Sequence, residues 1–194
     1  MNQLLSLLPA PQAFYPRIAL TQPTIQRYSV EKLFSLIIIP KKTKTQIIMD
    51  LLYTNLNTKS IPFLVNHLEE NLPSVLVATC YNDQGLPFHE EVRNTEIGHL
   101  FEHILLEYLC QYKLAKGAKR ATYVGQTKWN WTRDPLGRFH IHLSCGIKDA
   151  DIFPPALEKT VSLMKIILGH KQLHLNTTTN LSPKGIKNGE KKSV

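Results

Sequence analysis

The sequence predicts one α/β (α+β) domain, in which helices pack against a sheet of about four or five strands around a central helix. Short apolar runs of strand length alternate with segments of helical periodicity, which is typical of mixed folds. The chain has 194 residues and 43% hydrophobic residues, enough for one domain with its own core. Its apolar runs all fall short of the 18 residues that a membrane span requires, so no membrane is expected.

The first half of the chain predicts two strands and two helical pieces. Residues 33–39 form an apolar run closed by Pro40, which indicates a strand. Residues 45–53 and 61–68 carry apolar side chains at helical spacing, so each is predicted to be a helix. Residues 74–81 are largely apolar and end in a turn, which predicts a second buried strand.

The second half predicts the central helix, a hairpin and a closing helix. Thr95 can cap the central helix, which should run to about residue 112. Residues 120–127 and 138–145 are predicted strands, and residues 156–168 an amphipathic helix. Alternation along the second strand separates Phe139, Ile141, Leu143 and Cys145 on one face from His140, His142 and Ser144 on the other.

The two ends of the chain differ from this middle part. Residues 1–28 carry four prolines and are predicted to be an extended arm. Residues 173–194 are rich in Thr, Asn, Ser, Gly and Lys, which predicts a disordered basic tail.

The net charge of +8 is concentrated in residues 41–44, 113–120 and 184–192. Aromatic residues are not interleaved with these lysines, so nucleic acid is not favoured as a partner, whereas acidic peptide material would suit the surface. The three cysteines are widely spaced and odd in number, which argues against a disulfide framework and for a cytoplasmic setting. Each is interpreted as a small buried hydrophobic residue. The sequence is compatible with a homo-oligomer and leaves the oligomeric state open.

The most specific chemical signal is His99-Leu-Phe-Glu102-His103 at the start of the central helix. Histidines four residues apart share one helix face, and a glutamate beside the second is typical of inverted zinc-hydrolase helices. In such a site two imidazoles bind the metal and the carboxylate activates water. The alternative is a helix face on which these side chains are solvated or bonded to each other.

A catalytic zinc needs a third protein ligand, and the sequence leaves its identity open. Glu107 lies one further turn along the helix but would strain a single compact site, so it could instead orient a ligand histidine. His140 and His142 on the hairpin are the best candidates outside the helix, and His89 just before it is a weaker one. Three further residues could supply donors to a substrate carboxylate or oxyanion: Gln126, Lys128 and Arg133.

The pattern Thr95-x-x-Gly98-His99-x-x-Glu102-His103-x-x-Leu106-Glu107 resembles the corresponding helix of the amino-terminal domain of cyanophycin synthetase. The hairpin segments and the closing helix follow in the same order, so the resemblance covers roughly residues 31–170, most securely 95–146, and the domain is predicted to span residues 29–172. It implies His99 and His103 as metal ligands and Glu102 as general base, as in members whose domain is similar to metallopeptidases. The family's ATP-grasp and Mur-ligase-like domains have no counterpart here, and Gln126-Thr127-Lys128 replaces its Arg-Thr-Arg.

The leading hypothesis is therefore a zinc-dependent hydrolase of peptide or amide bonds, acting on a cyanophycin-like or other acidic peptide or polyamide. One alternative is a non-catalytic binding or structural module derived from the same domain. Another is a different lyase or hydrolase similar to S-ribosylhomocysteine lyase, whose third ligand is a cysteine. Cys145 is the cysteine that the sequence places nearest the hairpin.

Overall fold

The fold is known from a computed structural model that describes residues 25–30, 32–52, 55–82, 84–175 and 189–193. Its centre is a seven-stranded sheet with the order β1-β2-β3-β6-β5-β7-β4, and every neighbouring pair is antiparallel. The strands are β1 (Gln26–Val30), β2 (Phe34–Pro40), β3 (Thr45–Leu51), β4 (Cys80–Tyr81), β5 (Gly125–Trp129), β6 (Arg138–Leu143) and β7 (Gly189–Ser193).

Within the described residues, four α-helices accompany the sheet: α1 (Leu64–Asn71), α2 (Phe88–Glu91), α3 (Ile97–Ala115) and α4 (Phe153–Leu175). Short 3₁₀ turns link them at Thr58–Ser60, Pro73–Val77, Val92–Asn94 and Ile147–Asp149. Helix α3 contacts both α4 and the strands β5, β6 and β7, so it lies at the centre of the domain. None of the described helices is long and apolar enough to cross a membrane.

Helix α3 lies directly on the sheet because a glycine permits close approach. A Cβ atom placed on Gly98 would lie 2.4 Å from Cγ of Phe139 on β6. Phe139, Ile141 and Leu143 are buried on this face, as the alternation of β6 predicts. The apolar face of the hairpin is therefore the one that α3 covers.

The mixed single-domain class is confirmed, but the sheet is larger than the predicted four or five strands. Residues 45–53 are not a helix, because Thr45–Leu51 forms β3. Its alternate residues, Thr45, Ile47, Met49 and Leu51, are buried. Adjacent apolar pairs satisfy both a helical and a strand period over so short a run, and pairing with β2 and β6 decides between them.

The prediction of a strand over residues 74–81 is also wrong for most of its length. Pro73–Val77 is a 3₁₀ turn, and only Cys80–Tyr81 is extended as β4. The strand predicted at 120–127 begins only at Gly125, whereas those predicted at 33–39 and 138–145 are confirmed as β2 and β6. The predicted closing helix is present as α4 and is longer at both ends.

The segment predicted as a disordered tail contributes a strand. Gly189–Ser193 forms β7, which pairs with β5 along its whole length and with β4 over two residues. Main-chain hydrogen bonds and partly buried polar side chains hold it, so its composition has no apolar signal to predict it. Most of the predicted arm, residues 1–24, lies outside the described residues, and its end, residues 26–28, belongs to β1.

Candidate metal centre

The first two turns of α3 bury His99, Glu102 and His103, whose exposed fractions are 0%, 0% and 2%. The helix begins at Ile97 with Glu96 at the capping position and no side-chain cap. Thr95 does not cap the helix as predicted. Its hydroxyl instead lies 2.9 Å from Nδ1 of His99. This contact leaves Nε2 of His99 to face into the site.

The two imidazole rings lie next to each other, and an aromatic side chain packs against them. Their ring centroids lie 4.8 Å apart, and the ring of Phe88 stacks on His103 with a centroid distance of 3.6 Å. Burial lowers the pKa of His99 well below its usual value and lowers that of His103 to about 3. Neutral imidazole is the form that binds a metal, so burial prepares both rings for ligation.

The third member of this cluster is Cys80, on β4. Its Sγ lies 3.6 Å from Nε2 of His99, and the ligand atoms of Cys80, His99 and His103 all lie within 4.8 Å of one another. Asn82 donates a hydrogen bond to this sulfur at 3.4 Å and so helps to orient it. Among the described residues, these three form the group of His, Cys, Asp and Glu side chains with metal-ligand spacing.

This donor set fits zinc. Tetrahedral zinc, with Zn–S near 2.3 Å and Zn–N near 2.0–2.1 Å, places a sulfur and a nitrogen ligand about 3.6 Å apart. The observed separation between Cys80 Sγ and His99 Nε2 has the same value, 3.6 Å. The contact of Thr95 with the other nitrogen of His99 is the outer support that metal-binding histidines require.

Glu102 lies beside the pair in a pocket formed by β5. Thr127 donates a hydrogen bond to Oε2 of Glu102, while Oε1 has no hydrogen-bond partner in the described part of the chain. A Cβ atom on Gly125 would meet Oε1 at 2.3 Å, so only glycine leaves room for this carboxylate. Burial raises the pKa of Glu102 to about 8, although hydrogen bonds from Thr127 and Ser193 oppose the rise.

Strand β7 completes the centre. Ser193 Oγ lies 2.6 Å from Nε2 of His103 and 3.4 Å from Nε2 of His99. Two residues earlier, the ammonium of Lys191 contacts Glu91, Glu96 and the hydroxyl of Thr95. A cleft of about 400 Å³ opens beside this ammonium and is lined also by Trp129 and Gly189.

The structure does not bring the predicted third ligands to the imidazoles. Glu107 accepts hydrogen bonds from Ser74 and Gln111 farther along α3. His140 pairs with Asp134 at 3.1 Å, and both His140 and His142 alternate with the buried residues of β6. Because α3 covers the buried face, these two histidines belong to the opposite face of the sheet.

The predicted substrate-binding residues are likewise away from the centre. Gln126 and Lys128 alternate with Thr127, which faces Glu102, so they project from the other face, where both contact Glu190. Arg133 is exposed in the turn that follows β5.

Sequence reasoning missed Cys80, Ser193 and Lys191. Cys145, the cysteine that it had placed nearest the hairpin, is buried outside the cluster of ligand atoms. The one local clue to Cys80 was its place directly before the turn that leads back toward α3. Nothing in a polar tail segment points to a contact with a histidine pair about ninety residues away.

Residues 46–129 match the family model of the cyanophycin synthase-like N-terminal domain. The match runs from β3 to β5 and includes Cys80 and the whole of α3. This part of the chain is therefore similar to a cyanophycin synthase-like N-terminal domain, which confirms over these residues the resemblance drawn from the sequence. Comparison with curated proteins and with solved structures gives no match.

Proposed function

We propose that Cys80, His99 and His103 bind a zinc ion and that the chain hydrolyses peptide or amide bonds, with Glu102 as general base. The observation that carries the proposal is the approach of Cys80 Sγ to the imidazole pair, beside the buried carboxyl of Glu102, whose Oε1 has no hydrogen-bond partner among the described residues. Three protein ligands with an open fourth position are the usual composition of a catalytic zinc site.

The ligand types favour zinc over other metals. A thiolate with two imidazoles suits a borderline-soft ion, whereas magnesium and calcium prefer oxygen ligands. When bound, zinc supplies Lewis acidity that lowers the pKa of water and polarises a carbonyl group. Burial raises the pKa of the Cys80 thiol, so we expect zinc binding to release a proton from it.

The chain's own residues supply the proton transfer. Thr127 holds Oε2 of Glu102, and Oε1, which has no hydrogen-bond partner among the described residues, is the atom that accepts a proton from water and returns it to the leaving amine. Burial raises the pKa of Glu102 to about 8 in the metal-free chain, and the positive charge of a bound zinc ion would lower it toward the ionised form that a general base requires. Phe88 packs against His103 and excludes bulk water from the pair.

The cleft beside Lys191 is the entrance for a peptide or polyamide substrate. It is lined by backbone and polar side chains as well as by Trp129. The indole Nε1 of Trp129 is buried and has no partner among the described residues, so it can donate a hydrogen bond to a substrate carbonyl.

The test is zinc content and peptide hydrolysis of the purified protein, with Cys80→Ser compared with Cys110→Ser. Cys110 is also half-buried, and its Sγ donates a hydrogen bond to the backbone carbonyl of Ala121 outside the group of metal-ligand spacing, so it is a matched control. We expect Cys80→Ser to lower zinc affinity by ~100-fold or more, beyond the 10–100-fold of outer-ligand changes. Equal zinc affinity in the two variants would refute the proposed ligand set.

Glu102→Gln then separates catalysis from metal binding. We expect it to keep zinc and to lose ~10²–10⁴-fold in hydrolysis, the usual contribution of a general base. An unchanged rate would remove Glu102 from the mechanism.

A second function, a zinc-stabilised binding module without catalysis, is favoured by one observation. Ser193 Oγ lies 2.6 Å from Nε2 of His103 and covers the imidazole pair, as expected for a structural zinc site, which keeps no open position for water. That function predicts zinc binding with no hydrolysis of any peptide library by the wild type.

A further inference from the structure

Strand β7 occupies a gap in the sheet rather than extending its hydrophobic core. It lies between β5 and β4, and β4 has only two residues and pairs with β7 alone in the described sheet. No residue of β7 belongs to the hydrophobic core of the described chain. The strand is therefore held as a peptide ligand is held when it adds to a sheet edge, by main-chain pairing and by pockets for alternate side chains.

The three inward positions of β7 each meet a different pocket. The backbone of Gly189 packs on the indole of Trp129, and a Cβ atom there would lie 2.3 Å from the ring. Lys191 enters the acidic pocket of Glu91 and Glu96, and Ser193 reaches the imidazole pair. The pattern that fits is glycine, lysine and a small hydroxyl residue at every second position.

The lysine pocket is built for a primary ammonium. The ammonium of Lys191 donates hydrogen bonds to Glu91 Oε1 and to Thr95 Oγ1, the latter at 2.8 Å, and forms an ion pair with Glu96 Oε2 at 2.9 Å. The Lys191 side chain is 13% exposed and that of Glu91 is 5% exposed, so the contact is largely desolvated. A buried charge pair of this kind discriminates strongly against a partner that lacks the charge.

The outward positions carry no such constraint. Glu190 contacts Lys128 and Gln126 on the outer face, and the Lys192 side chain is 58% exposed. Recognition is therefore confined to alternate residues, as expected for a peptide bound in extended form.

We propose that the gap between β5 and β4 is a binding groove for extended peptides of the type Gly-x-Lys-x-Ser, and that Gly189–Ser193 is its intramolecular occupant. As a substrate class this rests on the proposed function, because the groove leads the peptide to His99 and His103. As a binding site it does not depend on metal.

The test measures binding of a fluorescein-labelled peptide, Gly-Glu-Lys-Lys-Ser-Val, to the full chain carrying Lys191→Glu. This substitution places a third carboxylate against Glu91 and Glu96 and so weakens the chain's own strand. Lys192→Glu, on the exposed side of β7, is the matched control. Anisotropy is recorded once with EDTA and once with zinc.

We expect Lys191→Glu to bind the peptide at least ~10-fold more tightly than Lys192→Glu or the wild type. A peptide with Glu at its third position should lose binding ~10-fold or more, and one with Glu at its fourth position should not. Equal affinity for these two peptides, or for the two protein variants, would overturn the groove.

If circular dichroism shows that Lys191→Glu is unfolded, amide hydrogen exchange of the wild type tests the proposal instead. Millimolar labelled peptide should accelerate exchange of residues 190–193 but not of β6, because it traps molecules whose strand has left the groove. No change in exchange would contradict the proposal.

The experiments can refute the peptide groove and the hydrolase function independently of each other. Lysine-dependent peptide binding in EDTA, without zinc uptake or hydrolysis, would support the groove and refute the proposed function. Hydrolysis that shows no preference for the lysine position would support the proposed function and refute the groove.

Discussion

Glu102→Gln should stabilise the metal-free protein at neutral pH. Burial raises the pKa of the Glu102 carboxyl to about 8, against 4.5 for the exposed group in the unfolded chain. Folding therefore favours the protonated acid. The contribution of Glu102 to stability is fully present below pH 4.5 and is lost as the pH rises toward 8.

The magnitude follows from the distance between pH 7 and the unfolded pKa of 4.5. At about 1.4 kcal/mol per pH unit, the proton that Glu102 must take up on folding lowers the free energy of unfolding by on the order of 3 kcal/mol at pH 7. Glutamine keeps the shape and can still accept the hydrogen bond from Thr127, but it carries no charge. We therefore expect the free energy of unfolding of the variant to exceed that of the wild type by on the order of 3 kcal/mol at pH 7. Near pH 4 the two proteins should be equally stable.

The assay is urea unfolding in EDTA at a series of pH values, with the midpoint and the slope recorded for both proteins. His99 and His103 lower the stability of both proteins as the pH falls below about 6.5, since their pKa values are lowered by burial, and this effect largely cancels in the difference. Glu107→Gln is the control, because Glu107 lies on the same helix with partial exposure. A Glu102→Gln protein that gains nothing at pH 7, or gains the same amount at pH 4, would refute a buried carboxyl with a raised pKa.

Three further predictions follow from the same geometry. Zinc at about 100 times its dissociation constant should raise the free energy of unfolding by about 2.7 kcal/mol, and thermal melts should show no such shift for Cys80→Ser. His140→Gln should leave the zinc-induced shift unchanged, since His140 pairs with Asp134 instead; a lost shift would restore it as a ligand. Gly98→Ala should destabilise the protein by about 1–3 kcal/mol because its Cβ atom would lie 2.4 Å from Phe139, whereas Gly169→Ala, with nothing within 4 Å, should not destabilise it by chemical denaturation.

The sequence predicted secondary structure correctly where a short periodic pattern was compatible with only one type of element. The run at β2 and the alternation along β6 could form only buried strands, and both are present. The segment at β3 fitted two periods at once, so the pattern alone chose wrongly. Strand β7 has no apolar period to detect, because its pairing is mostly through the main chain.

The alternation along β6 also bears on which histidines can reach the metal site. Because Phe139 and Ile141 face the core, a helix that packs on the core cannot meet the histidines between them. Applied to the site as well as to the strand, this rule places His140 and His142 on the face of the sheet opposite α3 from the sequence alone. It does not identify Cys80, which reaches the imidazoles only through the irregular path between α1 and α3.

The sequence by itself determined the helix that carries His99, Glu102 and His103, because spacing along one helix is a local property. The tertiary structure alone decided the third ligand, the pocket of the carboxyl and the strand that covers the site. Cys80, Thr127 and Ser193 lie 19, 25 and 90 residues from their partners on α3. Contacts at such separations depend on how the sheet is ordered, and no local pattern encodes that order.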